Sequence, residues 1–142
     1  MCNWSFMQGS GISTESMPKL PGNPIVVQYA PQLELIQKAS LVITHAGLNT
    51  TLESLSHGVP MVAIPISLDQ PGVAARIAWT GTGKVVPLPR LSVPILRKAI
   101  TEVLTHESYK TNAVQLQQAI SDAGGIIYAA NIIEQVISLK SQ

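Results

Sequence analysis

The chain has 142 residues, a formal net charge of +1 at pH 7 and a single cysteine, Cys2. A near-neutral charge offers no electrostatic basis for binding nucleic acid or an anionic membrane. One cysteine excludes an internal disulfide and a cysteine zinc cluster. No apolar run approaches the roughly 20 residues of a membrane span, and residues 1–5 lack a signal-peptide pattern. The sequence therefore predicts a cytoplasmic protein with no transmembrane segment, of a length that suits one domain.

The N-terminal part of the chain is rich in glycine and proline. Residues 10–24 include three prolines and two glycines, which predicts a poorly defined segment or linker over residues 1–24, with a brief strand around residues 4–7. The domain itself is predicted over residues 25–142. It begins with a buried strand at residues 25–27, and Pro31 then starts a helix over residues 32–39.

Strand and helix patterns alternate from residue 41 onward, with glycines at the stops. Strand, glycine turn, helix start and strand form the βαβ arrangement of a nucleotide-binding sheet. Leu41-Val42-Ile43 is continuously apolar, as expected of a strand buried on both faces. The predicted elements are strands at residues 41–44, 61–64 and 84–86, with helices at residues 51–57 and 72–79 between them.

The remainder is predicted to be helical, over residues 92–105, 108–121 and 126–139. The class is therefore α/β: a Rossmann-like parallel sheet flanked by helices, with a helical C-terminus. The last helix has two apolar rows, more than packing against one domain requires, and only 12% of the chain is charged. An exposed face would mark an interface and favour a homodimer through this helix, and burial in the domain is the alternative. The rows are Ile126, Ala130, Ile133 and Ile137, and Ala129, Ile132, Val136 and Leu139.

The first candidate site is the turn between the strand at residues 41–44 and the helix after it. Gly47 allows a tight turn, and Asn49 and Thr50 are predicted to cap a helix whose outward N–H groups and dipole favour a phosphate. His45 follows the strand end, where α/β sheets bind ligands. The alternatives are a structural histidine, caps without a ligand, and a capping box in which Glu53 bonds back to Thr50.

Residues 29–70 contain, in order, Ala30-Pro31-Gln32, His45-x-Gly47-x-Asn49-Thr50, Glu53, Gly58-Val59-Pro60 and Asp69-Gln70. This series resembles the donor-binding signature of the UDP-glycosyltransferases with the GT-B fold. The resemblance is greatest to bacterial members, including the carotenoid (zeaxanthin-type) glucosyltransferases. Tyr29 and Leu48 depart from the pattern, since plant members carry tryptophan at both positions.

The resemblance implies a UDP-sugar-binding domain of an enzyme that transfers a hexosyl group, glucose in the first instance, to an acceptor hydroxyl with inversion. It implies no metal and no cofactor, with the UDP-sugar as donor substrate. His45 and the helix start would hold the diphosphate and stabilise the charge on the UDP leaving group. The donor-binding residues implied are Tyr29, Ala30, Gln32, His45, Gly47, Asn49, Thr50, Glu53, Asp69 and Gln70.

The expected roles differ within this set. Tyr29 and Gln32 would frame the base by stacking and by a polar contact, although Tyr29 also suits core packing. The Glu53 carboxylate would accept both ribose hydroxyls. Asp69 and Gln70 would bind vicinal hydroxyls of the sugar, and a plain surface turn is the alternative.

Only the donor-binding, C-terminal half of a GT-B enzyme is recognisable. The family's acceptor site and its His–Asp catalytic pair lie in the other half, so no catalytic base is expected here and the chain alone is expected to be inactive. It would act with an acceptor-binding N-terminal domain or partner chain. The alternatives are a subunit of a split two-chain glycosyltransferase and a truncated, non-catalytic nucleotide-binding remnant.

Overall fold

The computed structural model describes residues 5–7, 24–27 and 29–139. Packing divides the chain into two units, Met1–Leu35 and Ile36–Gln142. Most of the predicted linker at residues 1–24 lies outside the described residues. Among the helices that are described, none is long and apolar enough to cross a membrane.

The first unit contains a pair of short parallel strands. Strand β1 (Ser5–Met7) pairs with strand β2 (Ile25–Val27), with Ser5 opposite Ile25. Both strands predicted in this part of the sequence are therefore confirmed. Helix α1 (Gln32–Lys38) begins directly after Pro31, which suits the first turn because proline has no N–H to leave unpaired there.

The second unit is built on a parallel sheet of three strands in the order β3-β4-β5. Helix α2 connects β3 to β4 and helix α3 connects β4 to β5, which makes two consecutive βαβ units and confirms the predicted α/β class. The elements are β3 (Val42–Thr44), α2 (Leu48–Ser56), β4 (Met61–Ala63), α3 (Gln70–Trp79) and β5 (Gly83–Val85).

Strand β4 is the buried centre of this sheet. Met61 and Ala63 pack on one face with residues of α2 and α3, including Leu55 and Ile77. Val62 points to the other face, because side chains alternate along a strand. There it packs with Val86 and with Ala99 and Val103 of a later helix. All three β4 residues are fully buried, so the predicted buried strand is confirmed.

Three helices complete the second unit: α4 (Val93–Thr105), α5 (Glu107–Asp122) and α6 (Gly125–Leu139). Helix α5 contacts α2 and buries Ala113 completely. Residues 125–138 of α6 are all exposed. The alternative that this helix is buried in the domain is therefore wrong.

Two local predictions are corrected. Strand β3 is not buried on both faces, because it is the edge strand of the three-stranded sheet and Ile43 is 41% exposed. Helices α2 and α3 begin earlier than predicted, at Leu48 rather than Thr51 and at Gln70 rather than Gly72. Poor helix formers in the first turn obscured both starts in the sequence, Asn49 and Thr50 in α2 and Pro71 and Gly72 in α3.

Candidate functional site

The connection from β3 to α2 turns at Ala46. This residue has a left-handed backbone, with φ of 66°, and is fully buried. Its N–H donates to the Thr44 hydroxyl at 3.2 Å, which helps to hold the conformation. Gly47 is instead extended, with φ of −62° and ψ of 137°. The prediction that Gly47 supplies the tight turn is therefore wrong.

Gly47 instead leaves room for a neighbouring ring. A Cβ placed on this residue would lie 2.6 Å from Nε2 of His45 and 3.2 Å from Cε1. Such a distance is far below van der Waals contact, so the imidazole ring occupies the space that a side chain at residue 47 would need. His45 is exposed, just past the end of β3. The glycine therefore lets the ring lie directly over the start of α2.

The N-cap residue of α2 makes no capping bond through a side chain. The N-cap is Gly47, whose carbonyl accepts both the N–H and the hydroxyl of Thr51 at 3.0 Å. Asn49 and Thr50 lie inside the first turn, so the prediction that they cap the helix is wrong. The capping box with Glu53 is excluded for the same reason, because it requires Thr50 at the N-cap.

This geometry suits an anion. First-turn N–H groups have no acceptor earlier in the helix, and Gly47 has no side chain that competes for them. The partial positive charge of the helix start adds to their attraction for an anion. Glu53 follows Thr50 by three residues, so both lie on the same face of α2. Glu53 is half-buried.

The loop from β4 to α3 leaves the sheet at the carboxyl end of its strands, as does the turn after β3. Thr44 and Ala63 are opposite each other, and the Ile64 N–H donates to the Thr44 carbonyl at 2.8 Å. Since β3 and β4 are parallel, the loops after them emerge side by side. The structure therefore brings His45 and the Asp69–Gln70 loop to the same end of the sheet, where the strands finish.

Gln70 holds this loop in shape. Its Oε1 accepts the N–H of Ile66 at 2.9 Å and the N–H of Ser67 at 3.0 Å. Both partners are donors, so the carboxamide oxygen must face them, and Nε2 takes no part in these bonds. Leu68 has a left-handed backbone, with φ of 57°, and is 90% exposed. Asp69 is exposed at the N-cap of α3 and makes no capping bond through its side chain.

The remaining predicted site residues, Tyr29, Ala30 and Gln32, belong to the first unit. Tyr29 is 86% exposed, so the alternative that it is a core residue is wrong. Ala30 is buried and Gln32 is half-buried at the first position of α1.

Sequence reasoning missed Ala46 and Thr44 as shaping residues. An alanine carries no sequence signal for a left-handed backbone, because the steric cost of that conformation normally excludes it. A hydroxyl two residues earlier, in Thr44, is a weak turn signal of the kind that serine and threonine provide.

A parallel sheet with a helix that starts at the carboxyl end of a strand defines a ligand-binding α/β domain suited to an anionic ligand. The family described as UDP-glucoronosyl and UDP-glucosyl transferase matches residues 4–124. The chain belongs to this family.

Similar proteins support the assignment. A UDP-glucosyltransferase of Bacillus subtilis described as uncharacterized, YojK, is 39% identical over 134 residues, which cover 94% of this chain and 33% of that protein. The zeaxanthin glucosyltransferase of Pantoea ananas is 38% identical over 112 residues, covering 79% of this chain and 26% of its own. The crystal structure of the glycotransferase of kitacinnamycin matches with a TM-score of 0.87 and 27% identity, over 94% of this chain and 34% of that one. The chain thus spans about a third of the length of the first curated relatives it matches. These matches confirm the predicted GT-B glycosyltransferase fold and the resemblance to bacterial glucosyltransferases.

Proposed function

We propose that this chain binds the UDP-sugar donor of a glycosyltransferase. The enzyme transfers a hexosyl group, with glucose as the expected sugar, to an acceptor hydroxyl with inversion. The observation that carries the proposal is the arrangement of residues at the carboxyl ends of β3 and β4. There the start of α2, with a glycine at its N-cap, lies next to the His45 imidazole and beside a loop that presents Asp69 and Gln70. Family membership supports the same donor class.

The start of α2 is the proposed diphosphate site. N–H groups of the first turn and the helix dipole attract the phosphate oxygens, and the exposed His45 ring donates a hydrogen bond from beside Gly47. As the bond to the sugar breaks, negative charge grows on the departing UDP. Donors already in place stabilise that charge without reorganising, which lowers the barrier to transfer.

Asp69 and Gln70 are proposed to bind the sugar in complementary ways. The Asp69 carboxylate only accepts hydrogen bonds, so it takes hydroxyl protons. The Gln70 oxygen is already engaged by the loop backbone, so Gln70 has its Nε2 group to donate to a hydroxyl oxygen. A sugar hydroxyl can both donate and accept a hydrogen bond, so Asp69 accepts from such a hydroxyl and Gln70 donates to one.

The rest of the donor has proposed partners as well. Glu53 accepts the ribose hydroxyls from its half-buried position on α2. Tyr29, Ala30 and Gln32 frame the base, with the exposed Tyr29 ring available for stacking. Neither a metal nor a cofactor other than the donor substrate takes part in this proposal.

Acceptor binding and the catalytic base are proposed to lie outside these 142 residues. An acceptor-binding N-terminal domain or a partner chain would supply them, in the cytoplasm. A split two-chain enzyme and a non-catalytic nucleotide-binding remnant are the other two forms that this site allows. Co-purification of an acceptor-binding chain favours the first, whereas UDP binding without any partner or transfer favours the second.

Calorimetric titration of the 142-residue chain with UDP, UDP-glucose and uridine tests the proposal. We expect UDP to bind, and His45→Ala to weaken it roughly tenfold, as loss of a hydrogen bond to a charged group does, with uridine affinity unchanged. His106→Ala is the matched control, because His106 is exposed at the junction of α4 and α5. A wild-type chain that binds neither UDP nor UDP-glucose would refute the proposed function.

A further inference from the structure

Helix α5 contacts the far ends of both helices that begin at the candidate site. The Lys110 ammonium donates to the Gly58 carbonyl at 2.7 Å, and the Gln117 amide donates to the Ser56 carbonyl at 3.2 Å. The Ser56 carbonyl belongs to the last turn of α2, and Gly58 lies two residues beyond it. The Asn112 amide donates to the Gly81 carbonyl at 3.1 Å, just after the end of α3.

The two helix ends have the same construction. Each is followed by a glycine with a left-handed backbone, Gly58 with φ of 62° and Gly81 with φ of 64°. A Cβ on Gly58 would lie 2.7 Å from Oε1 of Gln117, and a Cβ on Gly81 would lie 2.5 Å from Nδ2 of Asn112. Each glycine therefore meets the backbone requirement of a helix stop and also admits an α5 side chain to the carbonyls.

These contacts satisfy carbonyls at and just beyond two helix ends. The Ser56 carbonyl belongs to the last turn of α2 and has no donor within the helix, whereas Gly58 and Gly81 lie in the turns that follow α2 and α3. The Lys110 ammonium also complements the negative end of the α2 dipole. Ala113, between the donor residues on α5, is fully buried. The α5 helix is thereby fixed against α2 by packing and against both helix ends by directional bonds.

We propose that Lys110, Asn112 and Gln117 are positioning residues of the donor site. A helix is stiff over its length, so bonds to the last turn of α2 and to the turns just after α2 and α3 also set where the first turns of these helices lie. Both first turns face the same sheet edge, one as the proposed diphosphate site and the other behind the proposed sugar loop. This inference rests on the proposed function: α5 sets the spacing between the parts of the site that bind diphosphate and sugar.

The test uses substitutions that remove a donor without changing side-chain size. Asn112→Asp replaces the amide that bonds Gly81, and Gln117→Glu replaces the one that bonds Ser56. Lys110→Met removes the third donor without adding an acidic group. Gln115→Glu is the control, because Gln115 is exposed on the same helix and the charge change is identical.

Hydrogen–deuterium exchange of the unliganded 142-residue chain is the first readout. We expect Asn112→Asp to accelerate exchange roughly three- to tenfold in peptides covering residues 66–73, as loss of about one hydrogen bond does. Gln117→Glu and Lys110→Met should do so over residues 47–52. Peptides covering β4 should stay unchanged. An equal rise across β4, or no change beyond that of Gln115→Glu, would overturn the proposal.

Affinity is the second readout. Asn112→Asp should lower the affinity for UDP-glucose roughly three- to tenfold. The affinity for UDP should stay nearly unchanged, because the substitution disturbs only the part of the site that binds the sugar. Gln117→Glu should weaken both ligands equally. The same loss of UDP and UDP-glucose with Asn112→Asp would overturn the separation of roles. If the wild-type chain binds no UDP, the proposed function fails, while the exchange data still decide whether α5 holds the two helices.

Discussion

The imidazole of His45 lies where a side chain on Gly47 would have to be, with Nε2 only 2.6 Å from the position of a Cβ. The extended backbone of Gly47, with φ of −62°, is open to any residue. The absence of a side chain at residue 47 therefore gives room to the ring and is not needed for the backbone conformation. Because the exposed ring can move aside, the pair can be tested directly by substitution.

Gly47→Ala is expected to displace the His45 ring while leaving the fold intact. UDP should bind roughly tenfold more weakly, as His45→Ala itself predicts, with little change in the melting temperature. The double variant should bind UDP no more weakly than His45→Ala alone, because the second change removes nothing further. Calorimetry and thermal unfolding measure both effects. Additive losses would show that Gly47 matters independently of the ring.

Asp69→Ala is expected to weaken UDP-glucose by about 1–3 kcal/mol, the cost of lost hydrogen bonds to a charged group. UDP affinity should stay nearly unchanged, because the residue lies on the sugar side of the site. Gln70→Glu keeps an acceptor for the loop N–H groups of Ile66 and Ser67 and removes only the Nε2 donor. It should therefore lower UDP-glucose affinity without releasing the loop, whereas Gln70→Leu should do both. Equal losses of UDP and UDP-glucose with Asp69→Ala would contradict the sugar assignment.

Glu53→Gln is expected to weaken UDP and UDP-glucose alike, since both carry the ribose. The amide keeps one acceptor oxygen but loses the charge, so about 1–2 kcal/mol is the expected loss for each ligand. Thermal unfolding of the variant is measured alongside, to separate a loss of affinity from a loss of stability. A large drop in melting temperature without a change in affinity would make Glu53 a structural residue.

The Lys84–Glu102 ion pair predicts a pH dependence of stability. Lys84 Nζ lies 2.8 Å from Glu102 Oε1, and the Tyr109 hydroxyl donates to the same oxygen at 3.1 Å. The hydrogen bond from Lys84 lowers the pKa of Glu102 below its ordinary 4.5, and the same bond raises the pKa of Lys84 above 10.5. A lowered carboxyl pKa contributes stability that is full above pH 4.5 and is lost as pH falls through the folded-state value. A raised ammonium pKa contributes stability that is full below pH 10.5 and is lost as pH rises.

Glu102→Gln should therefore lower the free energy of unfolding by about 0.5–1 kcal/mol at pH 7, a modest amount because both side chains are partly exposed. Urea unfolding across pH is the measurement, and the difference from wild type should shrink below pH 4.5. Glu134→Gln is the control, since Glu134 is exposed in the middle of α6. A difference that persists unchanged at pH 3 would contradict the ion-pair account.

The exposed α6 helix predicts self-association. Ile126, Ile133 and Ile137 are 89%, 60% and 61% exposed, and Val136 is 49% exposed. Covering such a face removes apolar surface from water, so light scattering is expected to show dimers at micromolar concentration. Ile133→Glu should yield monomers, whereas Gln135→Glu, which adds the same charge beside it, should not. A wild-type monomer that also releases UDP from UDP-glucose with simple acceptors would refute both the dimer and the expected inactivity of the chain alone.

The order of strands and helices was predictable because its signals are local. Apolar runs such as Met61–Ala63 predict buried strands, and glycines after helical patterns predict the stops at Gly58 and Gly81, both confirmed by their left-handed backbones. The family signature also lies within one contiguous stretch. For these features neighbouring residues suffice, since each depends on short-range backbone preference and periodicity.

Only the tertiary structure decided the shape of the site. The left-handed turn falls on Ala46 because the Thr44 hydroxyl accepts its N–H and because its methyl group is fully buried. Neither feature can be predicted from the presence of an alanine in the sequence. Helix α5 reaches Gly58 and Gly81 through side chains that are 52 and 31 residues away in sequence. Such bonds depend on which helices pack together, and that choice is made by the burial of the whole sheet and not by any single stretch of the chain.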